Sequence, residues 1–153
     1  MLRQKEFELL SHFRKNARST LTNVSRKTGI PVSSIFDRLR RFKDHEIAKH
    51  TSLLNFNNIG FGVIVKSFIK AKRDSKKEIM KFLLMCPNVN NISALSNKYD
   101  VLIEAVFRNL KELRKFNDAI YELGAENKED FYVIEYLKRE SFLCNPEIIT
   151  IAE

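Results

Sequence analysis

The spacing of apolar and polar positions divides the chain into two regimes. Phe7, Leu9, Leu10 and Phe13 recur at helical intervals and predict a first helix over 3–15. Asn16-Ala17-Arg18-Ser19 interrupts that pattern, and Ser19 or Thr20 is placed to cap a second helix over 20–27 that buries Leu21 and Val24. In Thr28-Gly29-Ile30-Pro31, the glycine supplies positive φ at the helix end. Pro31 then starts the next helix without losing a needed N–H. A third helix over 32–43 sets Ile35, Leu39 and Phe42 at i, i+4 and i+7. Three helices, with a Gly-containing turn between the second and third, predict a helix-turn-helix.

Beyond residue 46 the pattern changes. Residues 47–54 predict a strand leaving the helical unit, and the Asn-rich 55–60 a linker. Residues 61–71 are β-branched and aromatic, a strand; 74–86 place Ile79, Phe82, Leu83 and Cys86 on one helical face. Residues 89–96 and 99–107 read as a hairpin around Asn97-Lys98. A helix over 110–123, with Leu113, Phe116, Ile120 and Leu123 inward, ends at Gly124, and 130–138 form a last strand on which Tyr132 and Tyr136 share a face. The predicted class is α+β: a winged-type helix-turn-helix domain (1–52), a linker (53–60) and a ferredoxin-like βαββαβ sandwich (61–141). The tail, 142–153, carries Ile148, Ile149 and Ile151, as an extra strand or a partner-binding arm.

Charge sharpens this division. The chain has 153 residues, 27 Lys+Arg against 19 Asp+Glu, and a net charge of +8. Residues 1–52 hold 12 of the cations and 5 of the acids, so +7 of the excess lies in the first third. A local positive field of that kind points to a polyanion, and double-stranded DNA fits better than a membrane surface, because the apolar stripes are too narrow for a lipid-lying helix. No apolar run approaches the roughly 20 residues of a spanning helix, and the charged first residues lack a signal peptide's core. With only Cys86 and Cys144, neither a disulfide framework nor a zinc site is expected. A cytoplasmic protein without cofactor is the expectation.

At 100° per residue, Ser33, Ser34, Phe36, Asp37, Arg40 and Arg41 fall on the outer arc of the third helix, with Arg38 flanking the core. Ser33 and Ser34 lie where short side chains reach base edges in a major groove, and the arginine forks suit phosphate or guanine. Phe36 either packs against the first helix or meets a thymine methyl. Asp37 either accepts from a cytosine amino group or orients Arg41 at i+4, the favoured reading.

These residues carry a resemblance. Asn16-Ala-Arg-Ser, Leu21, Val24 and the run Lys27-Thr-Gly-Ile-Pro-Val-Ser-Ser-Ile-Phe-Asp-Arg-Leu-Arg-Arg-Phe42 resemble the helix-turn-helix of the Lrp/AsnC (leucine-responsive, feast/famine) transcription regulators. Ile47-Ala48-Lys49 matches that family's post-helix strand and Ile59-Gly60 its linker. Ser96-Asn-Lys-Tyr-Asp-Val-Leu102 resembles its T-G-x-Y-D hairpin. The resemblance spans about residues 3–140. It implies a sandwich that dimerises through its sheet, dimers that stack to octamers, and an amino-acid effector near the hairpin loop. Residue by residue, it places Ser33, Ser34, Phe36, Asp37 and Arg38 toward bases and Arg18 and Arg41 on the DNA backbone. It places Asn97, Tyr99 and Asp100 in the effector loop. The chain departs from the family at Pro31, at Asp37 and at Asn97, which stands where the family has a loop glycine.

No phosphate-binding glycine loop, nucleophile elbow or HExxH motif is present, and His12, His45 and His50 lack metal-like spacing. The expected role is non-enzymatic: sequence-specific transcription regulation. The alternatives are a DNA-coating architectural protein and an enzyme subunit similar to the sirohaem decarboxylases, which share the two-domain layout but need no cationic recognition helix.

Overall fold

A computed structural model describes residues 2–145. The chain forms two compact units: residues up to Leu53 together with those from Leu137, and Leu54–Tyr136. The Ile148, Ile149 and Ile151 segment lies outside the described residues.

The first unit is a trihelical head. Helix α1 spans Gln4–Lys15, α2 Leu21–Thr28 and α3 Val32–Asp44. Thr20 caps α2 by accepting the Asn23 N–H at 3.3 Å, satisfying one of the amides a helix start leaves open. Gly29 ends α2 at φ 68°, a left-handed conformation that costs most residues energy, and Pro31 occupies the N-cap of α3. Leu9, Phe13, Val24, Ile30, Ile35 and Phe42 close the core, flanked by Leu2, Leu10, Leu21, Leu39 and Ile47. Each such side chain contributes about 1.5–3 kcal/mol by leaving water. At the far end of the described chain, Arg14 pairs with Glu140 and donates from Nε to the Phe142 carbonyl at 3.3 Å.

The strand expected over 47–54 does not form. The Ile47 N–H turns back onto the Phe42 carbonyl at 2.7 Å, and Ala48–Asn55 are exposed without a ladder. A strand needs a neighbour's unpaired backbone, and the head offers only helices. The head therefore has three helices and no wing strand among the described residues.

In the second unit, a short 3₁₀ turn at Asn57–Ile59 ends at Gly60 and leads into β1 (Val63–Ala71). Then come α4 (Lys76–Met85), β2 (Val89–Ala94), β3 (Val101–Phe107), α5 (Leu110–Glu122) and β4 (Ala125–Tyr132). The sheet order is β2-β3-β1-β4 with every neighbour antiparallel, the ferredoxin-like arrangement expected. Val65, Ile69, Val101, Ile103, Ala105 and Phe107 on one sheet face meet Ile79 and Leu83 of α4 and Leu113, Phe116 and Ile120 of α5. Cys86 is half-buried against this core, as its place on the apolar stripe suggests.

The last strand is displaced from expectation: it covers 125–132, not 130–138. The apolar run Phe131–Leu137 suggested the later position, yet the register pairs Ala71 with Ala125 and Val65 with Tyr132. The charged segment enters the sheet because its inward charges neutralise each other. Lys128 and Asp130 form an ion pair beneath α5, and Asp130 also accepts from Ser67 Oγ at 2.5 Å and Asn117 Nδ2 at 2.8 Å. Tyr132 and Tyr136 consequently do not share a strand; Tyr136 lies past the strand end and donates to Glu104 at 2.7 Å.

Candidate nucleic-acid interface

Helix α3 is anchored by Ile35 and Phe42, both fully buried, with Leu39 beside them. The opposite side carries Ser33, Phe36, Asp37, Arg40 and Arg41, all exposed, while Ser34 and Arg38 are half-buried at its edges. The predicted outer arc is thus the solvent face of one helix. Arg18 is exposed in the turn before α2, where its N–H donates to Asn16 Oδ1 at 3.0 Å.

Two details depart from the expectation. Phe36 is 58% exposed, so most of its ring stands on the outer face instead of packing against α1. Asp37 does not orient Arg41; the Arg41 guanidinium pairs with Glu6 of α1. That carboxylate is largely buried and sits close to the first turn of α1, a nearer and better-held partner than the exposed Asp37. The Arg3 backbone N–H first, and then the guanidinium of Arg41, hold the Glu6 carboxyl below the usual range against the opposing effect of burial.

Sequence reasoning missed Val32. It is exposed, one turn before Phe36 on the same helix, so the two present an apolar pair of the kind that meets thymine methyls. The i, i+4 spacing from Phe36 was the available signal.

In the hairpin, Asn97 takes the left-handed conformation of the glycine it replaces, at φ 79°. Tyr99 is buried, packs at a tilt against Phe68 with centroids 5.4 Å apart, and donates to Glu129. Asp100 accepts from Lys76 Nζ at 2.9 Å and from the Ala71 N–H at 3.0 Å, with Lys70 at 3.5 Å. Lys76 and then the Ala71 amide hold its carboxyl below the ordinary value. Asp100 therefore ties the hairpin to β1 and α4. Among the described residues no group of His, Cys, Asp or Glu gathers as a metal site, and no helix is long and apolar enough to cross a membrane.

An anchored helix with a cationic and hydroxyl-bearing outer face, preceded by a capped helix and a glycine turn, defines a DNA-binding head. Residues 2–49 match the winged helix-turn-helix DNA-binding family. Over 140 residues, 91% of this chain and 95% of its own length, an uncharacterised HTH-type transcriptional regulator of Pyrococcus horikoshii is 21% identical. Among solved structures, a Neisseria meningitidis transcriptional regulator in complex with L-Met superposes with TM-score 0.83 at 18% identity, covering 91% of this chain and 94% of that one. B. subtilis LrpC gives 0.82 at 14%, covering 90% and 98%. The chain is a helix-turn-helix DNA-binding transcription regulator. Its fold, a helix-turn-helix head and a ferredoxin-like sandwich, is that of B. subtilis LrpC and of E. coli AsnC, which superposes with TM-score 0.79 at 15% identity, covering 91% of this chain and 96% of that one.

Proposed function

We propose that the chain regulates transcription by sequence-specific binding of duplex DNA as a dimer or larger assembly. It acts in the cytoplasm, by binding and not by catalysis. The observation that carries this reading is the outer face of α3. Ser33, Ser34, Val32 and Phe36 meet base edges at its N-terminal half, with Asp37 alongside, and Arg18, Arg38, Arg40 and Arg41 meet phosphates. Two heads held by one dimer would engage half-sites about one helical turn, ~34–36 Å, apart.

The sheet surface away from the helices supports self-association. Phe68 and Phe131 pack edge to face there at 5.7 Å, and just beyond β4 Ile134 is 98% exposed. Apolar side chains so exposed favour a second copy of this sheet as their cover. A small-molecule effector, an amino acid by analogy with the L-Met complex of the Neisseria regulator, would act near Asn97, Tyr99 and Asp100. Footprinting on genomic fragments tests the reading. Discrete protected sites separated by one helical turn are expected. Uniform protection would instead identify a DNA-coating protein, and no protection would overturn both.

A further inference from the structure

Glu6 is the one carboxylate buried in the head among the described residues, and it faces the duplex-binding helix. Its Oε2 accepts the Arg3 N–H at 2.9 Å, and its Oε1 accepts from Arg41 Nη2. The two ends of that ion pair differ sharply: the Glu6 side chain is 11% exposed and that of Arg41 is 53% exposed. Arg38 adds attraction from the same helix, and Arg3, Arg38, Arg41, Glu46 and Leu2 line the shallow cleft around the carboxylate. The Arg41 guanidinium lies over the Phe42 ring, 5.6 Å from its centroid. Of five guanidinium donors, only the Nη2 group is engaged by a carboxylate among the described residues, leaving a fork edge for a second acceptor.

An apolar residue at position 6 would pack the core without the desolvation a carboxylate brings. A helix cap alone would be served by an exposed Glu or Gln. A buried carboxylate tied to the exposed cation of the DNA-facing helix does something else. It fixes the guanidinium in one place, and it cancels much of the charge that would draw any phosphate.

We propose that Glu6 is a positioning residue for DNA binding. It holds Arg41 so that the arginine bridges to one phosphate in the specific complex, while tempering the attraction of Arg41 for duplex of arbitrary sequence. This rests on the reading of α3 as the helix that meets DNA, and it deepens that reading by making part of the head's selectivity electrostatic.

Full-length protein is titrated with a random 40-bp duplex and with a duplex recovered from genomic DNA by the wild type, across 50–200 mM salt. Glu6→Gln keeps the size and an acceptor but removes the charge. The random duplex should then bind more tightly, with a salt slope steeper by about 0.9 per head, the contribution of one additional phosphate each. The ratio of recovered to random affinity should fall. In the Glu6→Gln, Arg41→Gln double variant that increment should vanish. An unchanged slope in a folded Glu6→Gln protein, or an increment that survives in the double variant, would overturn the proposal. Should Glu6→Gln fail to fold, Arg41→Gln alone decides: with Glu6 present it should lower the slope on the random duplex by well under ~0.9 per head while reducing the preference for recovered DNA. A full loss of ~0.9 per head on the random duplex would contradict the counter-charge role. Wild-type protein that binds neither duplex would instead refute the DNA-binding reading of α3 itself.

Discussion

Individual residues on α3 divide by how they are held. Arg40 is exposed and has no ion-pair partner among the described residues, so its charge is available to phosphate. Replacing Arg40 by Ala should weaken binding to every duplex and flatten the salt slope by about 0.9 per head. Ser34→Ala should instead redistribute preference among sites, read by competition between recovered and random fragments. Equal losses for both variants on both DNAs would deny this division. In the sandwich, Asp130 shows how a charge acts when buried. Burial pushes its carboxyl up, but the hydrogen bonds from Lys128 and Ser67 outweigh burial, so it lies below the ordinary value. Its stabilising contribution is therefore complete above the unfolded pKa of roughly 3.9 and is lost as pH falls through the lower folded value. Asp130→Ala leaves Lys128 buried without its counter-ion and should cost about 3–5 kcal/mol in urea unfolding at pH 7. That deficit should shrink toward pH 3; a loss independent of pH would show that the carboxylate's charge is not what stabilises the strand.

At the scale of elements, the helices were legible and the placement of strands less so. Apolar periodicity located α1, α2, α3 and α5, and Gly29, Pro31 and Gly124 marked their limits, because those signals are local to a few residues. Strand β4 was misplaced because its entry into the sheet depends on the Lys128–Asp130 pair and on Ser67, which is 61 positions from Lys128. At 47–54 the composition is β-like, yet no strand forms because the segment has no partner to pair with. Arg41 was assigned to Asp37, four residues away, when its partner Glu6 lies 35 positions off on another helix. Long-range partners of this kind leave no periodic trace. The end of α5 gives an element-scale test. Gly124 sits at φ 97°, and a Cβ there would meet Ser75 Oγ at 2.2 Å. Gly124→Ala should destabilise the sandwich by about 1–2 kcal/mol from backbone strain alone, measured by chemical unfolding. A neutral result would mean the α5–β4 corner relaxes freely. In the head, Phe42→Ala removes a fully buried ring and should cost about 3–5 kcal/mol by the same measurement.

For the whole molecule, the chain joins a cationic trihelical head to a sandwich whose own residues are nearly neutral. In the proposed function the apolar surface on the open side of the sheet would supply the means of pairing, while the head supplies the polyanion contact. Ile134→Lys should shift the sedimentation profile toward monomer and weaken binding to two-half-site DNA far more than to a single half-site. Unchanged sedimentation would remove Ile134 from the interface. The most direct test of the account is the salt dependence of wild-type binding to duplex DNA by fluorescence anisotropy. If α3 and its neighbours neutralise ~6–10 phosphates in the dimeric complex, affinity should fall by about three to five decades between 50 and 200 mM salt. Affinity that is absent at 50 mM, or that does not change over that range, would contradict it.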